Sequence, residues 1–511
     1  MIKKDILFPA VAGALLTLAY SPFKLGFLAY LGLVPIFYIV KNTSVKSALK
    51  RGFFWGIGLN TASLYWICYD TVKGGISAIL FLSFLSSIVF IFINYGLKRF
   101  RSNFIYIFPF VWTGWEFLRS IGPFGFPWLN IAYTQTYYTS LIQYVSITGV
   151  YGVSFWICII NVVIYYIITN VKIIKVITAF VVLLIIFAVP FIYGNVELNK
   201  ARPESGSLKV ALIQGNIPPK IKLKGSAVRD NFNNYIRLSK DAAEEKPDFL
   251  IWPESATYCY LRYNSMYLNL LREFSNELKI PIFTGSLDVE YDKSDNKAKY
   301  YNSAFLIKPF SNDLDVYSKI HLVPFGEWVP YGDIFPFLYN LDIAMGDFTP
   351  GKEFTMFNIP QKLNKNNEIS QNSNETKKDI KFSAVICFES IFSNLVRNFC
   401  KNGAEFLIVI TNDAWFGKTH GPFQHARITI FRAIENRISI ARCANTGVSM
   451  FVDPYGRTSN TTPIYVRKNV VGEISLNKKR TFYTMTGDWF ALGCSLFSLG
   501  TLGLAFFVRN S

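Results

Sequence analysis

The chain has 511 residues, of which 51% are hydrophobic, 17% aromatic and only 17% charged. Its formal net charge is +18, from 52 Lys and Arg against 34 Asp and Glu. This average is too apolar for an ordinary soluble enzyme. Much of the positive charge follows a membrane pattern, described below, so a nucleic-acid-binding function has little support.

Long stretches without a charged residue fill the first part of the chain. They cover residues 6–23, 25–40, 52–69, 74–97, 102–115 and 120–171. A helix needs roughly 20 apolar residues to cross a hydrocarbon core of about 30 Å. We therefore predict seven spans before residue 196, the seventh at 176–193, and an eighth at 489–508. We expect the first stretch to be a span rather than a cleaved signal peptide, because further spans follow at once.

Lys and Arg alternate between the loops in a way that predicts topology. With a cytoplasmic N-terminus, the inside segments contain Lys3, Lys4, Lys41, Lys46, Lys50, Arg51, Lys98, Arg99, Arg101, Lys172, Lys175 and Arg509. The short outside loops contain Lys24, Lys73 and Arg119. Because Lys and Arg resist translocation, we predict cytoplasmic termini and a globular domain outside the membrane.

The segment between the last two spans reads as an α/β domain, because short apolar runs alternate with amphipathic patterns. We place the seven-helix membrane domain at 1–195, the globular domain at 208–479 and the eighth helix at 487–508. Strands are predicted at 209–214, 249–252, 281–284, 303–307, 382–387, 406–411, 438–444 and 449–452. Helices are predicted at 228–244, 265–278 and 422–437. Two sheets between layers of helices would satisfy this pattern.

Two segments of the domain depart from the pattern. Residues 361–379 are rich in Asn, Lys, Ser, Gln and Glu, and we predict a solvated, mobile insertion there. Residues 328–341 are apolar and interrupted by Pro330 and Pro336. This stretch is either core or a lid that dips into the membrane interface, where Trp and Tyr are favoured.

Reactive side chains follow three of the apolar strands. Glu254 comes after the run ending in Trp252 and Pro253, and Lys319 precedes Glu327 by eight residues. Cys387 is the last residue of the predicted strand 382–387. A thiol is the only nucleophile at these strand ends, a carboxylate of raised pKa can take its proton, and an ammonium can stabilise an oxyanion. The pattern suits acyl transfer.

Each of these residues also has a plainer interpretation. A buried Cys at a strand end is more often inert packing, and a Lys with a Glu is commonly a surface ion pair. Glu327 and Glu389 could be solvated or structural. The four cysteines of the domain, Cys259, Cys387, Cys400 and Cys443, could form disulfides, although a domain of this size does not need them.

Two other sites compete with Cys387 as the reactive centre. Cys443 has neither a carboxylate nor a Lys in its own motif. His321, His420 and His425 are the only histidines, and with Asp413 they suggest zinc, but no Cys accompanies the last two at ligand spacing. We therefore expect no metal and no cofactor.

Together these motifs resemble the nitrilase superfamily, whose carbon-nitrogen hydrolase domain uses Glu, Lys and Cys in that order. The matching residues are Glu254, Lys319 and Cys387. More narrowly, the chain is similar to the apolipoprotein N-acyltransferase family, in which eight spans frame an outer nitrilase domain. The motifs that carry the similarity are 126–130, 252–254, 319–327, 387–389, 411–417 and 424–425. Phe388 stands where the family commonly has Tyr.

The resemblance implies an α-β-β-α sandwich and a two-stage reaction without a cofactor. A membrane phospholipid would donate an acyl group to Cys387, and the diacylglyceryl cysteine of an apolipoprotein would accept it. Glu327 and Glu389 would orient the site, and a backbone N–H near Phe388 would assist Lys319. The catalytic domain would be periplasmic, on the bacterial inner membrane, and a monomer would suffice. Trp415, Phe416 and Trp328 are our candidates for lining the substrate pocket.

Three other functions stay open. A membrane-tethered amidase acting on a small molecule would need a polar pocket and no membrane frame. A transporter would want ionisable residues inside the spans, where Glu116 is the one candidate. A structural anchor would not explain why the Glu, Lys and Cys motifs occur together.

Overall fold

The computed structural model describes residues 2–200, 206–218, 227–292, 297–332, 334–335, 347–360 and 379–507. Internal contacts divide the chain into two compact units. The helical unit contains Met1–Lys200, Thr419–Glu435 and Thr481–Ser511. The sheet unit contains Ala201–Lys418 and Asn436–Arg480. The polar insertion predicted at 361–379 lies outside the described residues, apart from Asp379.

The first part of the helical unit is built from helices of very different lengths. They are α1 (Ile2–Leu16), α2 (Ala29–Gly32), α3 (Val34–Val40), α4 (Val45–Leu64), α5 (Val72–Phe100), α6 (Phe108–Leu118), α7 (Val145–Thr148), α8 (Val150–Thr169) and α9 (Ile173–Leu198). Within the described residues, α5, α8 and α9 are the three helices that are long and apolar enough to cross a membrane. Shorter apolar helices occupy Asp5–Ala19, Gly26–Val40 and Trp489–Leu504.

The eight predicted spans are therefore supported unevenly. Helices α5, α8 and α9 lie in three of the predicted stretches. The stretch 102–115 contains α6, which has only 11 residues and is about 17 Å long at 1.5 Å per residue. Helix α4 carries Lys46, Lys50 and Arg51 in its first two turns. The count of eight spans stays a prediction.

A buried irregular segment connects α6 and α7. It contains the 3-10 turns Pro127–Leu129 and Ile131–Gln135, whose side chains are buried. The N–H and C=O groups of a buried irregular backbone need polar partners, because no regular helix or strand pairs them. Glu116 provides one, because it accepts hydrogen bonds from the Ile131 N–H at 2.8 Å and from the Ser154 hydroxyl at 2.5 Å. A carboxylate engaged in this way braces the fold, which weakens the transporter alternative.

The sheet unit contains two sheets, each of six strands among the described residues. The strands are β1 (Ser207–Gln214), β2 (Phe249–Ile251), β3 (Ile282–Asp292), β4 (Lys297–Ile307), β5 (Leu314–Ser318), β6 (Phe357–Pro360), β7 (Asp379–Ile386), β8 (Phe406–Thr411), β9 (Ser439–Ala444), β10 (Met450–Val452), β11 (Thr458–Ser459) and β12 (Lys468–Ser475). The first sheet has the order β12-β1-β2-β3-β4-β5, and the second β11-β10-β9-β8-β7-β6. Strands β1, β2 and β3 are parallel neighbours, as are β7, β8 and β9.

Aromatic side chains from both sheets fill the space between them. The ring of Phe249 lies 5.3 Å from that of Phe382, and the ring of Phe283 lies 5.2 Å from that of Phe357. On the outer face of the first sheet lie α10 (Val228–Ala243) and α11 (Ser265–Leu278), whose apolar faces join one buried cluster with Trp252. Helix α12 (Ser393–Lys401) packs on the second sheet. The predicted pair of sheets with helical layers is confirmed.

Three further helices complete the chain. They are α13 (Gly421–Asn436), α14 (Phe482–Thr486) and α15 (Trp489–Phe507). Helix α13 follows β8 in sequence, yet all but its last residue groups with the helical unit. The reason is visible in its contacts: Gln424 accepts a hydrogen bond from the Trp128 indole at 2.9 Å, and Glu435 accepts one from the Val150 N–H at 2.9 Å.

Candidate active site

Cys387 begins the 3-10 turn Cys387–Ile391 directly after β7. Its φ of +52° is left-handed, a conformation that costs a residue with a side chain about 1 kcal/mol. Such strain is typical of functional positions, because surrounding structure must hold it in place. The thiol is 9% exposed. Burial raises its pKa, as does the charge of Glu254, while Lys319 lowers it, so the resting thiol is protonated.

Glu254 lies two residues beyond the position where Trp252 ends the predicted strand, and it is buried. Its Oε1 accepts a hydrogen bond from the Asn302 amide at 2.8 Å, and its Oε2 accepts one from the Asn412 N–H at 2.8 Å. Burial raises the pKa of Glu254, whereas the Lys319 charge lowers it. A carboxylate whose pKa is set by burial and by a neighbouring cation is suited to take up and return a proton.

Gly285 on β3 lets this carboxylate sit so close to the sheet. A Cβ placed on Gly285 would lie 2.6 Å from the Cα of Glu254. Such a distance is shorter than side-chain packing tolerates, so the close approach of the two backbones requires glycine here.

Lys319 follows β5 directly and is 1% exposed. Its Nζ lies 2.9 Å from Oε1 and 2.8 Å from Oε2 of Glu327, and 3.8 Å from Oε1 of Glu254. Burial alone would lower the pKa of Lys319, but the charges of Glu327, Glu254 and Cys387 outweigh it and raise the pKa. The lysine is therefore a fixed buried cation rather than part of a surface ion pair.

Asn302 on β4 connects the two carboxylates and was missed by the sequence analysis. Its amide nitrogen donates to Glu254 at 2.8 Å and to Glu327 at 2.9 Å. Its main-chain carbonyl oxygen accepts from the main-chain N–H of Lys319 at 2.9 Å. The sequence signal is a single amide just before the predicted strand 303–307, which is too common a feature to single out.

Glu389 is fully buried and joins two parts of the site. Its Oε1 accepts from the Tyr317 hydroxyl at 2.7 Å and from the N–H groups of Ile320 and His321 at 2.7 and 3.0 Å. Its Oε2 accepts from the Ile386 N–H at 2.7 Å. The carboxylate thus ties the segment around Lys319 to the strand that ends at Cys387.

A second polar layer supports Asn412. The Asn412 side-chain oxygen accepts from the Asn445 amide at 2.9 Å. Next to it, Asp413 accepts from the Thr411 hydroxyl at 2.7 Å and pairs with Arg442 at 2.8 Å. All these side chains are buried. This layer holds the N–H group that binds Glu254.

The other candidate residues, Cys443 and the three histidines, pack against neighbouring groups. Cys443 is fully buried, and its Sγ lies 3.2 Å from the carbonyl oxygen of Ile251. The ring of His321 lies 3.8 Å from that of Phe392. Burial lowers the pKa of His321 to about 4, so the imidazole is neutral and packs as an aromatic ring. In the helical unit, His425 stacks on Trp128 and His420 contacts Phe23. None of the seven cysteines forms a disulfide, so the disulfide alternative is wrong.

The predicted lining residues lie close in sequence to the site. Phe388 is buried, with its ring 5.1 Å from that of Phe392. Trp415 is 36% exposed and Phe416 is half-buried, both in the turn Asp413–Phe416 after Asn412. Trp328 follows Glu327 and is half-buried. That Trp328, Trp415 and Phe416 line a substrate pocket stays a prediction, as does the supporting role of Phe388.

The stretch after Trp328 is only partly described. Ile334 is 66% exposed and Phe335 is 49% exposed. The core alternative is therefore wrong for this part of the stretch, and these two apolar side chains belong to the surface. Residues 336–341 lie outside the described part of the chain.

Comparison with known proteins assigns the two units of the chain to known families. Residues 209–481 match the family described as carbon-nitrogen hydrolase, so the sheet unit is a carbon-nitrogen hydrolase domain. Residues 12–163 match the family described as apolipoprotein N-acyltransferase N-terminal domain. A solved Saccharomyces cerevisiae member of branch 10 of the nitrilase superfamily covers 53% of this chain and 91% of its own at 19% identity, with a TM-score of 0.39.

Full-length relatives narrow the class to one family. The apolipoprotein N-acyltransferase of Geobacter metallireducens is 34% identical over 99% of this chain and 96% of its own. That of Chlorobaculum tepidum is 31% identical over 100% of this chain and 98% of its own. The chain belongs to the apolipoprotein N-acyltransferase family.

Proposed function

We propose that the protein N-acylates the diacylglyceryl cysteine at the N-terminus of apolipoproteins, with a membrane phospholipid as acyl donor. The observation that carries the proposal is the buried pair of Glu254 and Lys319, 3.8 Å apart, whose charges act on the Cys387 thiol. Glu327 pairs with Lys319 at 2.8 Å. This set combines a base, a fixed cation and a nucleophile. The name of the relatives supports an apolipoprotein as acceptor, and the membrane phospholipid is our proposal for the donor.

In the first stage Glu254 takes the thiol proton of Cys387, and the thiolate attacks an ester carbonyl of the phospholipid. Lys319 and a backbone N–H near Phe388 stabilise the oxyanion. The tetrahedral intermediate collapses by breaking the ester C–O bond. Glu254 returns the proton to the leaving alkoxide, so lysophospholipid departs and a Cys387 thioester remains.

In the second stage the α-amino group of the apolipoprotein attacks the thioester. Glu254 accepts a proton from the amine as the new C–N bond forms, and the C–S bond breaks. The thiolate of Cys387 regains that proton. The products are an amide and free enzyme, so no cofactor or metal is needed.

The neighbouring carboxylates act on position rather than on substrate. Glu327 orients the ammonium of Lys319 through two short contacts. Glu389 fixes the segment around Lys319 relative to the end of β7. Trp415, Phe416 and Trp328 line the acyl pocket in this proposal, because both substrates are lipid-anchored and water must be excluded.

The same proposal includes the membrane arrangement. Eight spans, seven within 1–195 and one within 487–508, carry a catalytic domain of residues 208–479. Both termini are cytoplasmic and the domain is periplasmic, on the bacterial inner membrane. The charge distribution of the loops supports this orientation. One chain contains the whole catalytic set, so a monomer suffices.

Intact-protein mass spectrometry tests the reaction. Wild type and Cys387→Ser, which replaces only the nucleophilic sulfur, are incubated with phospholipid vesicles and no acceptor. We expect a fatty-acyl mass increment on wild type alone, and we expect a diacylated lipopeptide to discharge it. Cys443→Ser is the matched control, because this buried thiol has no role in transfer. An increment that water removes as fast as the lipopeptide would make the protein a hydrolase.

A further inference from the structure

Thr411 ends β8 beside the nucleophile. Strands β7 and β8 are parallel neighbours, and the last pair between them is Ile386 with Ile410. Cys387 and Thr411 come next in the two strands, so they lie side by side at one sheet edge. Thr411 is fully buried. Burial has the largest effect on the pKa of Cys387 and raises it, whereas a hydrogen bond with the Thr411 side chain lowers it. The hydroxyl of Thr411 is thus within reach of the sulfur.

The same hydroxyl also binds a carboxylate. It donates to Oδ1 of Asp413 at 2.7 Å. An oxygen of Asp413 lies within 4.8 Å of the Cys387 Sγ. Within the sheet unit, burial and the charges of Glu254 and Asp413 raise the pKa of Cys387, and the charge of Lys319 lowers it. A threonine hydroxyl has one hydrogen, so it cannot donate to the carboxylate and to the sulfur at the same time.

Asp413 is held in place on its other side. Its Oδ2 pairs with Nη2 of Arg442 at 2.8 Å, and both side chains are fully buried. A Cβ placed on Gly447 would lie 2.2 Å from the same oxygen, so the backbone there passes close against the carboxylate. The guanidinium supplies the countercharge that a buried carboxylate needs. The carboxylate is therefore fixed, whereas the hydroxyl hydrogen of Thr411 can turn about the C–O bond.

Ionisation of Cys387 changes which acceptor most needs the hydroxyl hydrogen. In the resting enzyme the thiol is neutral and the carboxylate is charged, so the hydroxyl donates to Asp413. A buried thiolate loses its hydration and needs a donor in return. Turning the hydroxyl of Thr411 to the sulfur supplies that donor, and Asp413 keeps its pair with Arg442. No proton leaves Thr411 in this change, because the thiol proton moves to Glu254.

We propose that Thr411 is a positioning residue that stabilises the Cys387 thiolate by turning its hydroxyl from Asp413 to the sulfur. The pair of Asp413 and Arg442 holds the hydroxyl ready for this turn. The inference rests on the proposed function, in which Cys387 is the nucleophile. It differs from a purely structural role, in which the bond to Asp413 would only close the turn after β8.

Alkylation of Cys387 by iodoacetamide tests the thiolate without any acyl transfer, because the thiolate is the reactive form. The rate is measured against pH on the full chain in detergent, by mass spectrometry of the peptide that contains Cys387. Thr411→Val keeps the shape of the side chain and removes the hydroxyl. We expect its profile to move to higher pH by roughly one pH unit, because a hydrogen bond to a charged group is lost. Thr411→Ser keeps the hydroxyl and should restore the wild-type profile.

Controls separate the hydroxyl from packing and from catalysis. Thr355→Val should behave as wild type, because that hydroxyl donates to the Val316 carbonyl instead. Thr411→Ala has a smaller side chain and should move the profile as Thr411→Val does, which preserves the test if the valine variant does not fold. A wild-type profile without the hydroxyl, or an equal displacement in Thr411→Ser, would overturn the proposal. The expected alkylation profiles without any acyl loading from phospholipid would contradict the proposed reaction instead.

Discussion

Asn302 is the residue whose single amide group serves two carboxylates, Glu254 and Glu327. Its hydrogen bond to Glu254 lowers the pKa of that carboxyl, against the larger effect of burial, which raises it. The proposed reaction needs Glu254 ionised before it can accept the thiol proton. The fall in the rate of Cys387 acylation at acidic pH therefore depends on the strength of this hydrogen bond.

We expect Asn302→Ala to move the acidic limb of acyl loading to higher pH by roughly one pH unit, the equivalent of one hydrogen bond to a charged group. The sign follows from the loss of a donor that favours the charged form. Single-turnover loading of Cys387, followed by mass spectrometry from acid to neutral pH, measures it. Asn469→Ala is the control, since that amide donates to the Leu238 carbonyl instead. An unmoved limb would mean that Asn302 does not tune Glu254.

Some residues of the site could be predicted from the sequence and others could not. Glu254 and Cys387 were predicted because each stands at the end of an apolar strand, and strand ends converge at a sheet edge. Lys319 was predicted from its motif, in which Glu327 follows eight residues later. Asn302 and the backbone N–H of Asn412 were not predicted. Their contribution depends on pairing between distant segments, which no local pattern contains.

At the scale of elements, Glu389 links the segment after β5 to the end of β7. A carboxylate can accept all four hydrogen bonds that this position receives, but a glutamine amide has one oxygen and one NH₂ group. In Glu389→Gln, the NH₂ group would face a backbone N–H, so at least one buried donor would lose its partner.

We expect Glu389→Gln to lower the melting temperature and to slow acyl loading at least tenfold, because a lost charge-assisted hydrogen bond is worth roughly 1.5–3 kcal/mol. Thermal unfolding in detergent and single-turnover loading measure the two effects. Glu473→Gln, an exposed residue on β12, is the matched control and should behave as wild type. Wild-type loading in Glu389→Gln would show that the link does not position Lys319.

Helices and strands could be predicted from the sequence where the pattern of apolar residues follows their burial. Strand β8 (Phe406–Thr411) and helix α11 (Ser265–Leu278) occupy the predicted residues, because one is wholly apolar and the other has a clear apolar face. Strands β5 and β12 were missed, since most of their side chains are half-buried or exposed. Such edge strands form through pairing with a neighbour rather than through their own composition.

At the scale of the whole molecule, the two units are not continuous in sequence. Helix α13 belongs to the helical unit although the residues on both sides of it belong to the sheet unit. Helix α13 has the amphipathic pattern of any helix on a sheet, and its sequence position suggested the globular domain. Its partners Trp128 and Val150 lie about 300 residues earlier. Contacts at this separation decide which unit a helix joins, and periodicity within the helix cannot show them.

The membrane topology can be tested directly, because the loop charges predict which ends face the cytoplasm. Helices α5, α8 and α9 have the length and apolarity of spans, whereas the other spans are inferred from charge-free stretches. Reporter enzymes active only in the periplasm, fused after Thr43, Thr71, Asn170 and Asn199, show on which side of the membrane each of these loops lies. We expect activity after Thr71 and Asn199 alone, since Lys and Arg cluster around the other two positions. A cytoplasm-active reporter at the same four sites is the control and should give the opposite pattern. Periplasmic activity after Asn170 would remove a cytoplasmic loop, and with it the count of eight spans.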